Sequence, residues 1–309
     1  NDPADGISSG VDTNSTVTLT SFGSGPNAVG YSVVQAEVRT ALTGLVLQLP
    51  GVITLPGPTV DFQPFSGNAH KIDGEDQSAN GCFPTIAVSS SQALAQVKSA
   101  IAKRSSAYTS CDPGQGPHLS GGNAVENFVE NTSLTRANAY EPDTFNLPPL
   151  GSGDPRLTSV PHLTELVRKI REIADYTSPT EAGFTLGSAT DPKIVVIDGD
   201  FSMSDTGNGI LVVTGKLTFD GAVNYRGLVL AIGEGSVVID GGGGGSFKGA
   251  MLVANTVEPW DDEGKWVGIP HYADNGGGNA LQAYDSNGAR GFPARDFAPI
   301  EVVSYHPLR

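Results

Sequence analysis

The sequence predicts a mainly β fold with a few helices: a short β-solenoid with packed helices, preceded by a β-hairpin. Three observations carry this expectation. Over residues 194–256 the chain repeats a short β-branched run followed by a Gly, Asp or Asn turn. The strongest runs, at 194–197, 210–213, 228–232 and 250–253, begin 16, 18 and 22 residues apart, an interval that suits one coil of a stacked-β architecture. Weaker strands at 201–203, 217–219 and 237–239 fall between them. The composition agrees: 40 Gly and 21 Pro against 17% charged residues describe a turn-rich β protein. Ile197, Val212, Leu230 and Leu252 are expected among the inward positions of the repeat.

Taken in order, residues 1–12 read as a leading segment. Residues 16–20 and 31–40 alternate apolar and polar side chains around Gly23-Ser24-Gly25-Pro26-Asn27, the pattern of a β-hairpin. Residues 1–48 are therefore expected as an N-terminal hairpin segment, and residues 49–309 as the repeat module. The stretch 49–58 is apolar but carries Pro50, Pro56 and Pro58; proline removes a ladder donor, so a sheet edge is expected there. Residues 60–62 and 66–74 form further strand-turn units. Ser89 or Ser90 is placed to cap a helix over 89–107, with Leu94, Val97, Ala100 and Ile101 on one face. A short helix is expected over 123–131, and the Pro- and Gly-rich residues 141–155 read as a linker. The clearest helix covers 161–176, where Leu163, Leu166, Val167, Ile170, Ile173 and Ala174 make one apolar stripe. After the repeat comes an acidic, aromatic loop around Trp260 and Trp266. The alternating residues 300–305 are expected as a last strand laid on the repeat.

Charge and cysteine content narrow the classes of function. A net charge of −15 and a pI of about 4.6 exclude a phosphate-backbone binder, which needs a basic face. No run of 18 apolar residues is present, so no membrane span is expected. The first residues are polar and lack an initiator Met, which reads as a processed chain. Cys82 and Cys111 each sit in a turn-forming context on either side of the 89–107 helix. A disulfide between them is the favoured reading and suits an oxidising compartment; two unpaired thiols are the alternative.

Several segments together resemble the C-terminal region of PilX-like type IV pilus assembly proteins, minor-pilin-like proteins of Gram-negative bacteria. They are residues 49–58, Ser66-Gly67-Asn68 with Ile72-Asp73-Gly74, residues 191–200, 209–215 and 225–229, residues 248–256, Gly276-Gly277-Gly278-Asn279-Ala280 and Val303-Ser304-Tyr305. The resemblance spans roughly residues 30–309. It implies a secreted or cell-surface location and other pilus or filament subunits as partners, and it supplies no catalytic residues to carry over.

Two candidate sites come from the residues themselves. Asp198, Asp200, Asp205 and Asn208 place oxygen ligands near one edge of the repeat, and calcium is the cation such a set would take. Asp and Gly are also ordinary turn formers, and that reading competes. Asp261, Asp262 and Glu263 are a second acidic group. Trp260, Trp266, Tyr272 and Tyr284 cluster in sequence around it and suit contact with another protein or a surface glycan. The competing reading makes them a cap on the open end of the repeat. The five histidines are scattered with no ligand spacing, so no catalytic residue is assigned. The expected function is a non-enzymatic, extracellular structural or adhesive module. Its rivals are a β-helix polysaccharide lyase or hydrolase, which needs a carboxylate constellation, and a self-assembling filament subunit joined through open β-edges.

Overall fold

A computed structural model of the chain describes residues 16–24, 31–40, 49–63, 71–76, 83–102, 108–112, 116–119, 125–127, 155–240, 245–275, 281–289 and 300–308. The chain divides into two compact units. The smaller comprises residues 1–45, 146–148 and 294–309, and the larger comprises 46–145 and 149–293.

The smaller unit begins with the expected hairpin. Strands β1 (Thr16–Ser24) and β2 (Tyr31–Thr40) pair antiparallel from Thr16 opposite Arg39 to Ser24 opposite Tyr31.

The larger unit first lays down β3 (Ile53–Leu55), β4 (Asp61–Gln63), β5 (Lys71–Asp73) and β6 (Ile86–Val88). Helix α1 (Ser91–Ala102) follows, then β7 (Tyr108–Asp112), β8 (Gly116–Leu119) and β9 (Val125–Asn127). A 3-10 turn at Pro155–Thr158 leads into α2 (Val160–Glu172). The repeat then runs as β10 (Lys193–Ile197), β11 (Phe201–Met203), β12 (Gly207–Val213), β13 (Lys216–Asp220), β14 (Asn224–Gly233), β15 (Ser236–Asp240), β16 (Ser246–Asn255), β17 (His271–Asp274) and β18 (Leu281–Tyr284). A single turn, α3 (Ser286–Ala289), ends it.

Successive strands of the repeat alternate between two sheets. The strong runs β10, β12, β14 and β16 form one, and the weaker strands β11, β13, β15 and β17 form the other. Neighbours within each of these rows are parallel. Val196, Val212, Leu230 and Leu252 share one column. Ile197, expected in that column, pairs with Val213 one position on, although it too is buried. The second halves of β12, β14 and β16 are buried on both faces, as near-continuous aliphatic runs require. Helix α2 packs on β10 and β14 through the predicted stripe of Leu163, Leu166, Val167 and Ile170. Side chains of the two sheets meet between the rows, where the Phe219 ring lies 6.4 Å edge-on from Phe247.

The early strands extend these same sheets. The second half of β16 pairs with β3, its first half pairs with β18, β17 pairs with β4, and β18 pairs with β5. Strands β3, β4 and β5 thus stack directly on β16, β17 and β18. This corrects the expectation of a sheet edge at 49–58: β3 is flanked by both β16 and β6. Pro50 and Pro56 lie just outside the three paired residues, so the ladder loses no donor.

Three further expectations are revised. Residues 125–127 form β9, paired parallel with β6, where a helix was expected; pairing to an existing strand outweighs the weak local helix preference. Helix α2 ends at Glu172, because Asp175 and Tyr176 turn aside to cover the edge of β10. There Val196 N donates to Tyr176 O at 2.9 Å and Ile194 N to the Asp175 carboxylate at 2.9 Å. The last strand, β19 (Ile300–Leu308), pairs antiparallel with β2 and belongs to the smaller unit rather than to the repeat. Helix α1 keeps its predicted start: Ser90 Oγ accepts from Ala93 N at 2.9 Å, the N-cap bond.

Candidate functional site

The longest excursion between paired strands of the repeat, residues 256–270, joins β16 to β17 and carries the predicted acidic aromatic cluster. It is built outward from Asn255, a buried residue at the end of β16. The Asn255 Oδ1 accepts from Val257 N at 3.1 Å and Glu258 N at 2.9 Å, while its Nδ2 donates to Ile269 O at 3.3 Å. One amide side chain thereby ties the outgoing limb to the returning one. Gly268 makes the close approach between the limbs, since a Cβ there would stand 1.8 Å from Glu258 O. Farther out, Trp260 N donates to Trp266 O at 3.0 Å.

The tip is closed by Asp261. Its Oδ1 accepts from Lys265 N at 2.8 Å and Trp266 N at 2.9 Å. Gly264 N donates to Asp261 O, and Gly264 takes the left-handed φ of +69° that this turn requires. Partial burial of Asp261 opposes its charged form. The Trp266 and Lys265 amides outweigh that and hold the carboxyl below its ordinary range. The returning limb is also strapped to the start of α2: Val160 N donates to Lys265 O at 2.9 Å and Val267 N to Thr158 O at 3.0 Å.

The four predicted aromatic contacts separate into two kinds. Trp260 is 60% exposed on the outgoing limb, whereas Trp266 is half-buried against the α2 start. Tyr272 and Tyr284 are core residues, 1% and 2% exposed, which corrects their assignment to a contact surface. Tyr272 stacks on Phe62 and donates to Gln282 Oε1 at 2.8 Å; Tyr284 stacks on Phe83 at 3.8 Å. Both rings lie where the early strands meet the repeat. The loop leaves the stack from within it, since β16 lies between β14 and β3 and β17 between β15 and β4. Val257 and Ile269, on the same loop, are also exposed. Isolated apolar residues in a polar loop gave the sequence reading little reason to single them out.

The four residues of the candidate cation set each have a structural role or a separate place. Asp198 pairs with Arg171. Asp200 Oδ1 accepts from Lys216 N at 2.8 Å, which fixes the turn into β13. Asn208 is buried within β12 and Asp205 is exposed. Among the described residues no three His, Cys, Asp or Glu side chains converge as a metal would need. Cys82 lies outside the described residues, as does the side chain of Cys111, and so does their pairing. Among the described residues no helix is long and apolar enough to cross a membrane.

No family model matches the chain, and comparison with characterised proteins and with solved structures gives no match.

Proposed function

We propose that this chain is a non-enzymatic structural module of an extracellular filament of the type IV pilus class. Its parallel sheets would be the faces of a short β-solenoid that holds the 256–270 loop outward toward other subunits. The observation that carries this reading is the pairing of a rigid parallel stack with one ordered projecting loop. The stack supplies a scaffold with little freedom to change shape, and the loop supplies exposed anchors. At the β10 end, the covered strand edge offers a second subunit no open ladder to join. Among the described residues, the ionisable groups whose protonation is perturbed have local causes on separate elements. Glu165 is held low by Arg168 on α2, Glu181 by the Thr177 amide, and Tyr225 is pushed up by burial in the core. Such scatter suits a scaffold better than a hydrolase pair. A secreted or cell-surface location, with filament subunits as partners, goes with this reading.

The test is co-sedimentation of the purified chain with sheared type IV pili, run beside a polysaccharide-cleavage panel with and without calcium. The expected result is pelleting with pili and no cleavage. Reproducible bond cleavage together with no pelleting would reject the reading.

A further inference from the structure

Three of the four large apolar side chains that stand exposed among the described residues, Val257, Trp260 and Ile269, belong to one loop of residues 257–269. Single exposed apolar residues are ordinary, but a group on one element marks a contact surface. The loop is also held in shape. Asn255 ties its base, Asp261 closes its tip, and the α2 start straps its returning limb. Trp260, on the unstrapped limb, is therefore presented to solvent on a fixed backbone, an arrangement that lowers the ordering cost of binding. The charge around it is mainly negative. Glu258, Asp262 and Glu263 are exposed and Asp261 is kept ionised, against Lys265 alone on the loop.

We propose that this loop docks a basic polypeptide segment bearing an apolar side chain. The apolar group would pack on Trp260 between Val257 and Ile269, and lysine or arginine side chains would meet Glu258, Asp262 and Glu263. Complementary charge sets orientation and encounter rate, and the tryptophan supplies the anchor. This inference rests on the structural-module reading above and names the surface and the chemistry of its partner.

The full chain is titrated with tryptophan-free synthetic peptides in which Leu and Phe alternate with Lys. Controls are the Glu-for-Lys analogue, the Ser-for-Leu/Phe analogue and a soluble chitooligosaccharide, with tryptophan emission and calorimetry as readouts. The basic apolar peptide is expected to bind, to shift the emission, and to weaken as salt rises. Trp260→Ala should weaken it about tenfold or more, with the melting temperature unchanged. The triple variant Glu258→Gln/Asp262→Asn/Glu263→Gln should weaken it and flatten the salt dependence. Equal affinity for the acidic analogue, unchanged binding to Trp260→Ala, or an emission shift with the oligosaccharide alone would overturn the proposal. The pilus experiment separates the two readings. Equal pelleting of wild type and Trp260→Ala rejects this inference and leaves the filament reading. Peptide binding that depends on Trp260, in a chain that ignores pili, rejects the filament reading alone.

Discussion

Gly209, Gly227 and Gly249 stack in one column, each within its strand. A Cβ on Gly227 would stand 1.9 Å from Gly209 O, and one on Gly249 1.8 Å from Gly227 O. Each layer therefore lies against the bare backbone of the last, with φ near +150° at Gly227 and Gly249. Gly221 offers the contrast: its φ is +79°, yet nothing lies within 4 Å of a Cβ there. Gly227→Ala is expected to cost more than about 3 kcal/mol, because backbone must move as well as strain. Gly221→Ala should cost about 1–2 kcal/mol, the left-handed strain alone. Urea unfolding of the two variants checks the difference. Equal losses would show that the column is not a steric constraint. Leu230, fully buried in its own column, should lose about 2–5 kcal/mol as Leu230→Ala. Leu230→Asp should prevent folding, since a buried charge there finds no partner.

At the scale of elements, the loop after β16 has its own dependence on pH. Asp261 is ordinarily half-protonated at 3.8, and in the folded loop its value is lower. A depressed carboxyl contributes stability that is fully present above the unfolded value and lost as pH falls through the folded one. The tip should therefore stay closed at neutral pH and loosen below about pH 4. Hydrogen exchange at the Lys265 and Trp266 amides should accelerate there, beyond the intrinsic rate, and Asp261→Asn should remove that dependence. Protection that is flat with pH in both proteins would rule out a clasp of this kind. Helix α2 shows how far an element is legible. Its apolar stripe at helical spacing gave its position and its buried face. Its end was not legible, because Asp175 and Tyr176 stop the helix by bonding a strand that lies beyond them in sequence.

At the scale of the larger unit, the early strands and the repeat form continuous sheets, although residues 53–63 and 246–274 lie far apart in the chain. Ile53, opposite Met251, and Ile210, in the first layers of the repeat, are both buried. Ile53→Ala and Ile210→Ala should each cost about 2–5 kcal/mol and lower the same calorimetric transition. A separate, earlier transition for Ile53→Ala would mean that the early strands fold as an independent layer. The candidate site obeys the same logic. The acidic tip and Trp260 were evident from composition. The removal of Tyr272 and Tyr284 to the core was not, because their partners Phe62 and Phe83 come from the early segment.

The sequence by itself determined the local alternation of strong and weak β runs, the mainly β class, the hairpin of β1 and β2, the start of α1 and the stripe of α2. These follow from periodicity, turn residues and caps, which act over a few neighbours. The tertiary structure alone decided which strands adjoin. It set β3 against β16, sent β19 to the hairpin, put Val196 rather than Ile197 in the shared column, and divided four aromatic residues between core and surface. Parallel pairing joins segments distant in the chain and leaves no local pattern to mark the partner, so register and neighbourhood emerge only when the layers are stacked.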